Sequence, residues 1–301
     1  SLIILNRKEM TERAHVPVLL KEAMEGLNIR SQGVYVDATF GFGGHAKEIL
    51  KNLGPKGKII GIEVDGETYD YSKTLFEHDE SVLLYHCNFV DAFGSGLSRY
   101  RGQVDGILFD LGVNSYQIKE SGRGMSFLKN EYLDMRLDQK SNLTASKVLN
   151  SYSREELEEI LKNVDERFAR VIARRITEER KIKKIETTED LIAIVKSVKS
   201  FRGKIHPATL TFMALRLEVN RELENLADGL KKSIPYLRSG GRLVVISFHS
   251  GEDRIVKRFL REEAKRGVIK IVNKKVIRST WEERKKNPLS RSAKMRVAEK
   301  C

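Results

Sequence analysis

The sequence has little of what would place it outside the cell or in a membrane. Two cysteines, Cys87 and Cys301, stand in 301 residues. That is too few for a disulfide framework or a cysteine-rich zinc cluster. No apolar run approaches the ~18 residues that crossing a bilayer requires. The opening SLIILNRKEM has a short apolar patch but no basic start, long apolar stretch or small-residue cleavage site, so no secretory leader is expected. No internal repeat and no low-complexity linker appears. These absences lead us to expect a reducing, cytoplasmic setting, with no membrane and no metal site. The length leaves room for a full core and for two domains.

Positive charge is what the chain has in excess. Fifty-five Lys and Arg against 42 Asp and Glu give a net +13. The excess is concentrated: from Arg254 to Cys301 there are 17 Lys or Arg and 5 Glu, a net +12 in 48 residues. A solvated basic tail would account for the charge alone. The same segment, however, holds the strand-like runs IKIVNKKVI and SAKMRVAEK, which point to a folded surface. Such a surface suits a polyanion, nucleic acid first.

The front of the chain alternates strands and helices, the pattern of an α/β sheet. Strands are expected at VYVDATF (34–40), KIIGIEVD (58–65), SVLLYHCNF (81–89) and VDGILFDLG (104–112), with helices at HAKEILKNL and ETYDYSKTLF between them. The next buried strand, RLVVISF (242–248), is far too distant for an ordinary crossover. The gap is helical: SREELEEILKNV, ERFARVIARRITEERK, TEDLIAIVKSVKS capped by Thr187 or Thr188, and a helix through TLTFMALRLEVNRELENL opened by His206-Pro207. We expect a discontinuous sheet domain of 1–115 and 213–301, with an inserted helical domain over 116–212.

The glycines of DATFGFGGHA raise the question of a ligand. Gly41, Gly43 and Ala46 fit G-x-G-x-x-A, a weak dinucleotide fingerprint on its own. Asp37, just before them, opposes a pyrophosphate but suits a cationic amino group. Glu63 ends the second strand, where a carboxylate accepts ribose hydroxyls of either NAD or S-adenosylmethionine. Asp110 ends the fourth, a position where a dehydrogenase needs no acid. Each residue alone is equally well explained as a turn or a cap. Three acids at the strand ends of one sheet, where ligands of open α/β sheets bind, favour S-adenosylmethionine and methyl transfer. NAD remains the rival cofactor.

HVPVLLKEAMEGLNI (15–29), DATFGFGGHA (37–46), DGILFDLGVNS (105–115), ERFARVIARRI (166–176), SFHSGEDRIVKRF (247–259) and NPLSRSAKMRVAEK (287–300) resemble the bacterial 16S rRNA (cytosine-N4)-methyltransferase family, RsmH or MraW, over nearly the whole chain. The resemblance implies a class I S-adenosylmethionine-dependent methyltransferase fold, with a Rossmann-like, mostly parallel seven-stranded sheet and an inserted all-helical domain. The ARRITEERKIKK face of that insert is expected to grip RNA phosphates beside the C-terminal cations, or equally well to be a solvated helix face. It implies methylation of the exocyclic N4 of one cytidine in 16S rRNA near the P site, on the small subunit or its assembly intermediate. Carried over by position, Gly43, Gly44 and His45 contact the cofactor, Glu63 holds its ribose, Phe89 flanks its adenine, and Asp110 and Gln117 complete the set. Glu63 stands where Asp is common, Asn114 replaces a frequent Ser, and Gly251 a bulkier residue.

Cytosine N4 is a poor nucleophile, so its hydrogens need an acceptor and its lone pair needs alignment. The chain has no N/D/S-P-P-Y/F motif. Asp110 is the expected amine-orienting residue, with Asn114 assisting, Tyr116 as a base-seating aromatic, and His249, steadied by Glu252 or Asp253, as a proton-accepting or base-binding group. Other readings are a methyltransferase acting on another nucleic acid or a small molecule, and an RNA-binding scaffold without turnover.

Overall fold

The structure, a computed structural model, describes residues 17–199 and 206–301. The apolar opening, the first residues of the HVPVLL motif and the end of the TEDLIAIVKSVKS helix lie outside the described residues. The chain divides into two compact units, Ser1–Gly112 with Glu224–Cys301, and Val113–Leu223. The expected insert, 116–212, falls within the second.

Seven strands make the sheet of the first unit: β1 (Val34–Asp37), β2 (Lys58–Glu63), β3 (Val82–His86), β4 (Val104–Asp110), β5 (Leu237–Ser247), β6 (Ile269–Ile271) and β7 (Lys294–Lys300). Their order is β3-β2-β1-β4-β5-β7-β6. The first five run parallel, and β7 is antiparallel to both β5 and β6. The near-continuous apolar runs that mark the strands follow from cover on both sides. Val36, Ile107, Phe109 and Val245 enter one buried cluster. Their neighbours Tyr35, Leu108, Val244 and Ile246 enter another, as the period of two in a strand requires.

Strand order reverses between β1 and β4, the switch point at which open α/β sheets leave a crevice. β1 is also the shortest of the three central strands. Asp37 pairs with Gly61 of β2 and with Leu108 of β4, so Glu63 and Asp110 each stand two residues beyond it. The notch left above Asp37 is crossed by the glycine loop.

The second unit is helical, with helices Ala145–Ser151, Arg154–Lys162, Ala169–Glu179, Thr188–Val198 and Thr209–Val219. Ser153 and Thr187 cap two of them, with Glu156 and Asp190 completing capping boxes. Residues at helical spacing pack inward: Leu157, Ile160 and Leu161; Ile172, Ala173 and Ile176; Leu191, Ile194 and Val195.

The helix expected through TLTFMALRLEVNRELENL is two helices, Thr209–Val219 and Glu222–Ser233. Arg221 turns to a φ of 49° between them. Asn220 explains the break: its Nδ2 donates to the Met135 carbonyl at 2.8 Å, and its Oδ1 accepts from Leu137 N at 2.7 Å. Both cysteines are free thiols. Among the described residues no helix is long and apolar enough to cross a membrane.

Candidate active site

The glycine loop is pinned on both sides of the notch. Ala38 N donates to Leu108 O and Phe40 N to Ile62 O, so the chain leaving β1 still bonds alternately to both neighbouring strands. Thr39 Oγ1 accepts from Asp110 N at 2.7 Å, and Gly41 N donates to Glu63 Oε2 at 2.9 Å. The loop therefore sets the height of both flanking acids.

Two of the glycines are explained by packing. Gly43 has a φ of 72°, and a Cβ there would meet the Phe76 ring at 2.5 Å. At Gly44 a Cβ would meet Pro17 Cγ at 2.6 Å. Gly43 caps helix Gly44–Asn52, which places His45 in the first turn. Close approach to the protein itself thus already demands glycine at both positions.

Asp37 is buried, and its Oδ1 accepts a hydrogen bond from Thr39 N at 3.2 Å. Desolvation pushes its carboxyl up to about 7, against the pull of that bond. Glu63 is also buried and is likewise pushed up to about 7 by desolvation. Its Oε1 accepts from Asp65 N at 2.8 Å, and Asp65 in turn caps helix Gly66–Leu75 through bonds from Glu67 N and Thr68 N. Asp110 is raised well above the usual carboxylate range by burial, then by the charges of Asp37 and Glu252. Among the described residues its Oδ1 is buried with no hydrogen-bond partner. A buried carboxyl oxygen without a donor is costly, which marks it as the place for one from outside.

His45 completes the group. Its Nε2 lies 3.1 Å from the Val18 carbonyl, and its Nδ1 lies 3.4 Å from Asp110 Oδ2. A carbonyl only accepts, so Nε2 carries the hydrogen. Two lone pairs facing each other across 3.4 Å repel unless one proton sits between ring and carboxyl.

Phe89 starts a single helical turn, Phe89–Asp91, directly after β3. Its ring stands edge-on to Phe109 at 5.3 Å and lies against Gly229. It is half-buried at the same sheet edge as Glu63.

The structure places three expected residues in other settings. His249 lies two residues past the end of β5, as the N-cap of helix Ser250–Lys265. Its Nδ1 accepts from Gly251 N and Glu252 N. Its Nε2 lies 3.2 Å from Glu252 Oε1 without the alignment of a hydrogen bond. Glu252 Oε2 also accepts from Phe248 N and His249 N. Asp253, by contrast, pairs with Arg296 and Lys294. Asn114 and Gln117 belong to the second unit, where they form a reciprocal capping box on helix Ser115–Lys119. The Asn114 oxygen accepts from Gln117 N at 2.9 Å and keeps its second lone pair.

Sequence reasoning missed Thr39 and Asp65, which hold Asp110 and Glu63 in place. It also missed the share of Glu252 in the charge around Asp110. The spacing His249-x-x-Glu252 is the signal of a capping box and would have located Glu252. No pattern in the sequence points to Thr39.

A profile of the MraW methylase family matches residues 12–301. The chain belongs to that family. The ribosomal RNA small subunit methyltransferase H of Clostridium botulinum (strain Kyoto / Type A2) is 44% identical over 309 residues, covering 96% of this chain and 99% of its own. That of Caldicellulosiruptor bescii is 44% identical over 305 residues, covering 95% and 99%. Among solved structures, an rRNA methylase from Streptococcus thermophilus aligns over 95% of this chain and 99% of its own, at a TM-score of 0.45 and 11% identity. The family match covers both units and every acid of the notch.

Proposed function

We propose that the protein transfers a methyl group from S-adenosylmethionine to the exocyclic N4 of a cytidine in 16S rRNA, near the P site of the small ribosomal subunit. The observation that carries this reading is the set of three carboxyls at the switch point, two of them buried and the third with an orphaned oxygen. The curated relatives named as small-subunit rRNA methyltransferases support the choice of recipient.

The notch fits a cation that bears hydroxyls and no phosphate. Asp37 and Asp110 offer negative charge to a sulfonium and an amino group, and a pyrophosphate there would be repelled. Glu63 keeps lone-pair capacity for ribose hydroxyls beyond its bonds from the Gly41, Val64 and Asp65 backbone, and Phe89 offers a flat apolar face to the adenine. Gly43, Gly44 and His45 supply backbone at the start of a helix. When bound, S-adenosylmethionine supplies an electrophilic methyl group.

Asp110 does the chain's chemical work. Its free Oδ1 accepts a hydrogen from the target amine and so holds the nitrogen lone pair in line for attack. As the nitrogen is alkylated its acidity rises, and the same oxygen takes the departing proton. His45 lies against Oδ2, so the oxygen left to receive a donor from outside is the buried Oδ1. Asn114, Gln117 and His249 keep supporting roles in this reading: two cap the helix after β4 and one caps the helix after β5.

Mass mapping of small-subunit RNA, with and without the protein, tests the proposal. One added methyl on a cytidine N4 is expected, and methylation of DNA or free nucleosides in its place would overturn the recipient. Asp110→Asn is expected to slow single-turnover transfer by about 10²–10⁴-fold at saturating S-adenosylmethionine, beyond any loss of cofactor affinity. Full activity in that variant would remove Asp110 from the chemistry.

A further inference from the structure

Trp281 is the only tryptophan in the chain, and it is 70% exposed. A side chain of that size adds nothing to the core from such a position. It opens the helix Trp281–Lys286, and Lys285 Nζ lies 5.4 Å from the centre of its ring. Lys274, Lys275, Arg278, Lys286 and Arg291 are exposed in the same segment.

The mount is firmly held. Ile277 bridges Met295 of β7, Ser279 Oγ donates to Ser290 O at 2.7 Å, and Arg284 Nε donates back to Ser279 Oγ at 3.0 Å. Thr280 Oγ1 caps the helix by accepting from Glu283 N. The same helix is tied to the methyl-transfer edge. Glu283 Oε1 accepts from Leu19 N at 2.7 Å; the adjoining Val18 carbonyl meets His45, and His45 faces Asp110. Leu19 is held at a φ of 53°, a conformation a branched side chain resists and that surrounding contacts must impose.

The basic residues of the second unit are placed differently. Arg175 pairs with Glu179 at 2.6 Å, Arg174 lies 3.7 Å from Glu178, and Lys183 pairs with Asp190 at 2.8 Å. Arg180 donates to the Leu149 and Tyr152 carbonyls. Much of that positive face is spent inside its own unit.

We propose that Trp281 is a stacking platform for an unpaired base of single-stranded RNA close to the methylated nucleotide, with Lys285 and the neighbouring cations on the adjoining phosphates. The proposal rests on the rRNA reading above and adds where the strand runs. An indole stacks on any base, and a cation beside it reads the backbone. A six-residue helix with one exposed indole is too small to lie in a lipid surface, where amphipathic helices bury a long apolar face.

Because Trp281 is the only tryptophan, indole fluorescence excited beyond the tyrosine absorption band reports this position alone. We would titrate the protein with a single-stranded oligonucleotide of small-subunit sequence, with heparin, and with phosphatidylserine-containing vesicles. RNA alone is expected to quench it. Trp281→Ala is expected to raise KM for small-subunit RNA about 10-fold, with kcat and S-adenosylmethionine affinity unchanged and Trp281→Phe recovering most of the loss. Unchanged fluorescence with RNA, together with a wild-type KM in Trp281→Ala, would overturn the platform. Equal quenching by heparin would reduce it to charge attraction, and quenching by vesicles without RNA would make it a lipid contact. Methylation of the same RNA by the unaltered protein is measured in parallel. Its absence with quenching intact would sink the rRNA reading and leave the platform standing.

Discussion

Asp37 and Glu63 are acids kept near neutrality by burial, and the ligand proposed for them is cationic. A cation favours their charged forms, so binding must drive off whatever protons they hold. Both carboxyls stand at about 7 without ligand. Affinity for S-adenosylmethionine is therefore expected to rise from pH 6 to pH 8, with proton release on binding at pH 6 that fades by pH 8. Calorimetry in two buffers of different ionisation enthalpy measures it, and a pH-independent affinity would contradict the arrangement. The same shift has a stability consequence. A carboxyl raised from 3.8 to about 7 favours the folded state below its unfolded value, and that contribution is lost as pH climbs through about 7. Asp37→Asn should hence stabilise the ligand-free protein at pH 8, by roughly 2 kcal/mol. A lower melting temperature for the variant would refute this.

At the scale of elements, His249 is the instructive case. It stood in the sequence at the end of a strand, where a lone imidazole is more often structural than catalytic, with a proton-accepting role as the second reading. In the structure the strand stops at Ser247 and the ring caps a 16-residue helix. His249→Ala is expected to cost about 1 kcal/mol in denaturant unfolding, and His249→Asn, with a capping oxygen at the same reach, to recover most of it. Loss of methyl transfer in His249→Asn without loss of stability would favour the catalytic reading. Much of the sheet was legible because the buried strands are apolar runs that end in acids. What was hidden depended on distant partners. Asn220 breaks a helix through bonds to Met135 and Leu137, with no glycine or proline to announce it. IKIVNKKVI reads as one strand, yet Asn273 bonds to the Lys275 carbonyl and to Val297 N and stops β6 at Ile271. The acids of the notch were visible by position, but their elevated carboxyls were not, since burial is a property of the fold.

For the molecule as a whole, charge is divided between a basic segment open to solvent and a helical unit that pairs many of its own cations. RNA affinity is expected to fall steeply with salt, by about one order or more between 50 and 200 mM for several phosphate contacts. Reversing Lys274 and Lys275 to Glu should flatten that slope, and neutralising Arg174 and Arg175 should leave it nearly unchanged. Filter-binding isotherms at several salt concentrations decide it; equal effects from both pairs would spread the interface over both units. The order of the strands has a further meaning for biosynthesis. β5 pairs with β4 and β7, and among the described residues β6 pairs with β7 alone, yet β7 follows both in the chain. During translation, β1 to β4 emerge well before the partner that walls Asp110 on its other side. The notch is therefore one of the last features to close, and a nascent chain carries all three acids without yet holding them as a site.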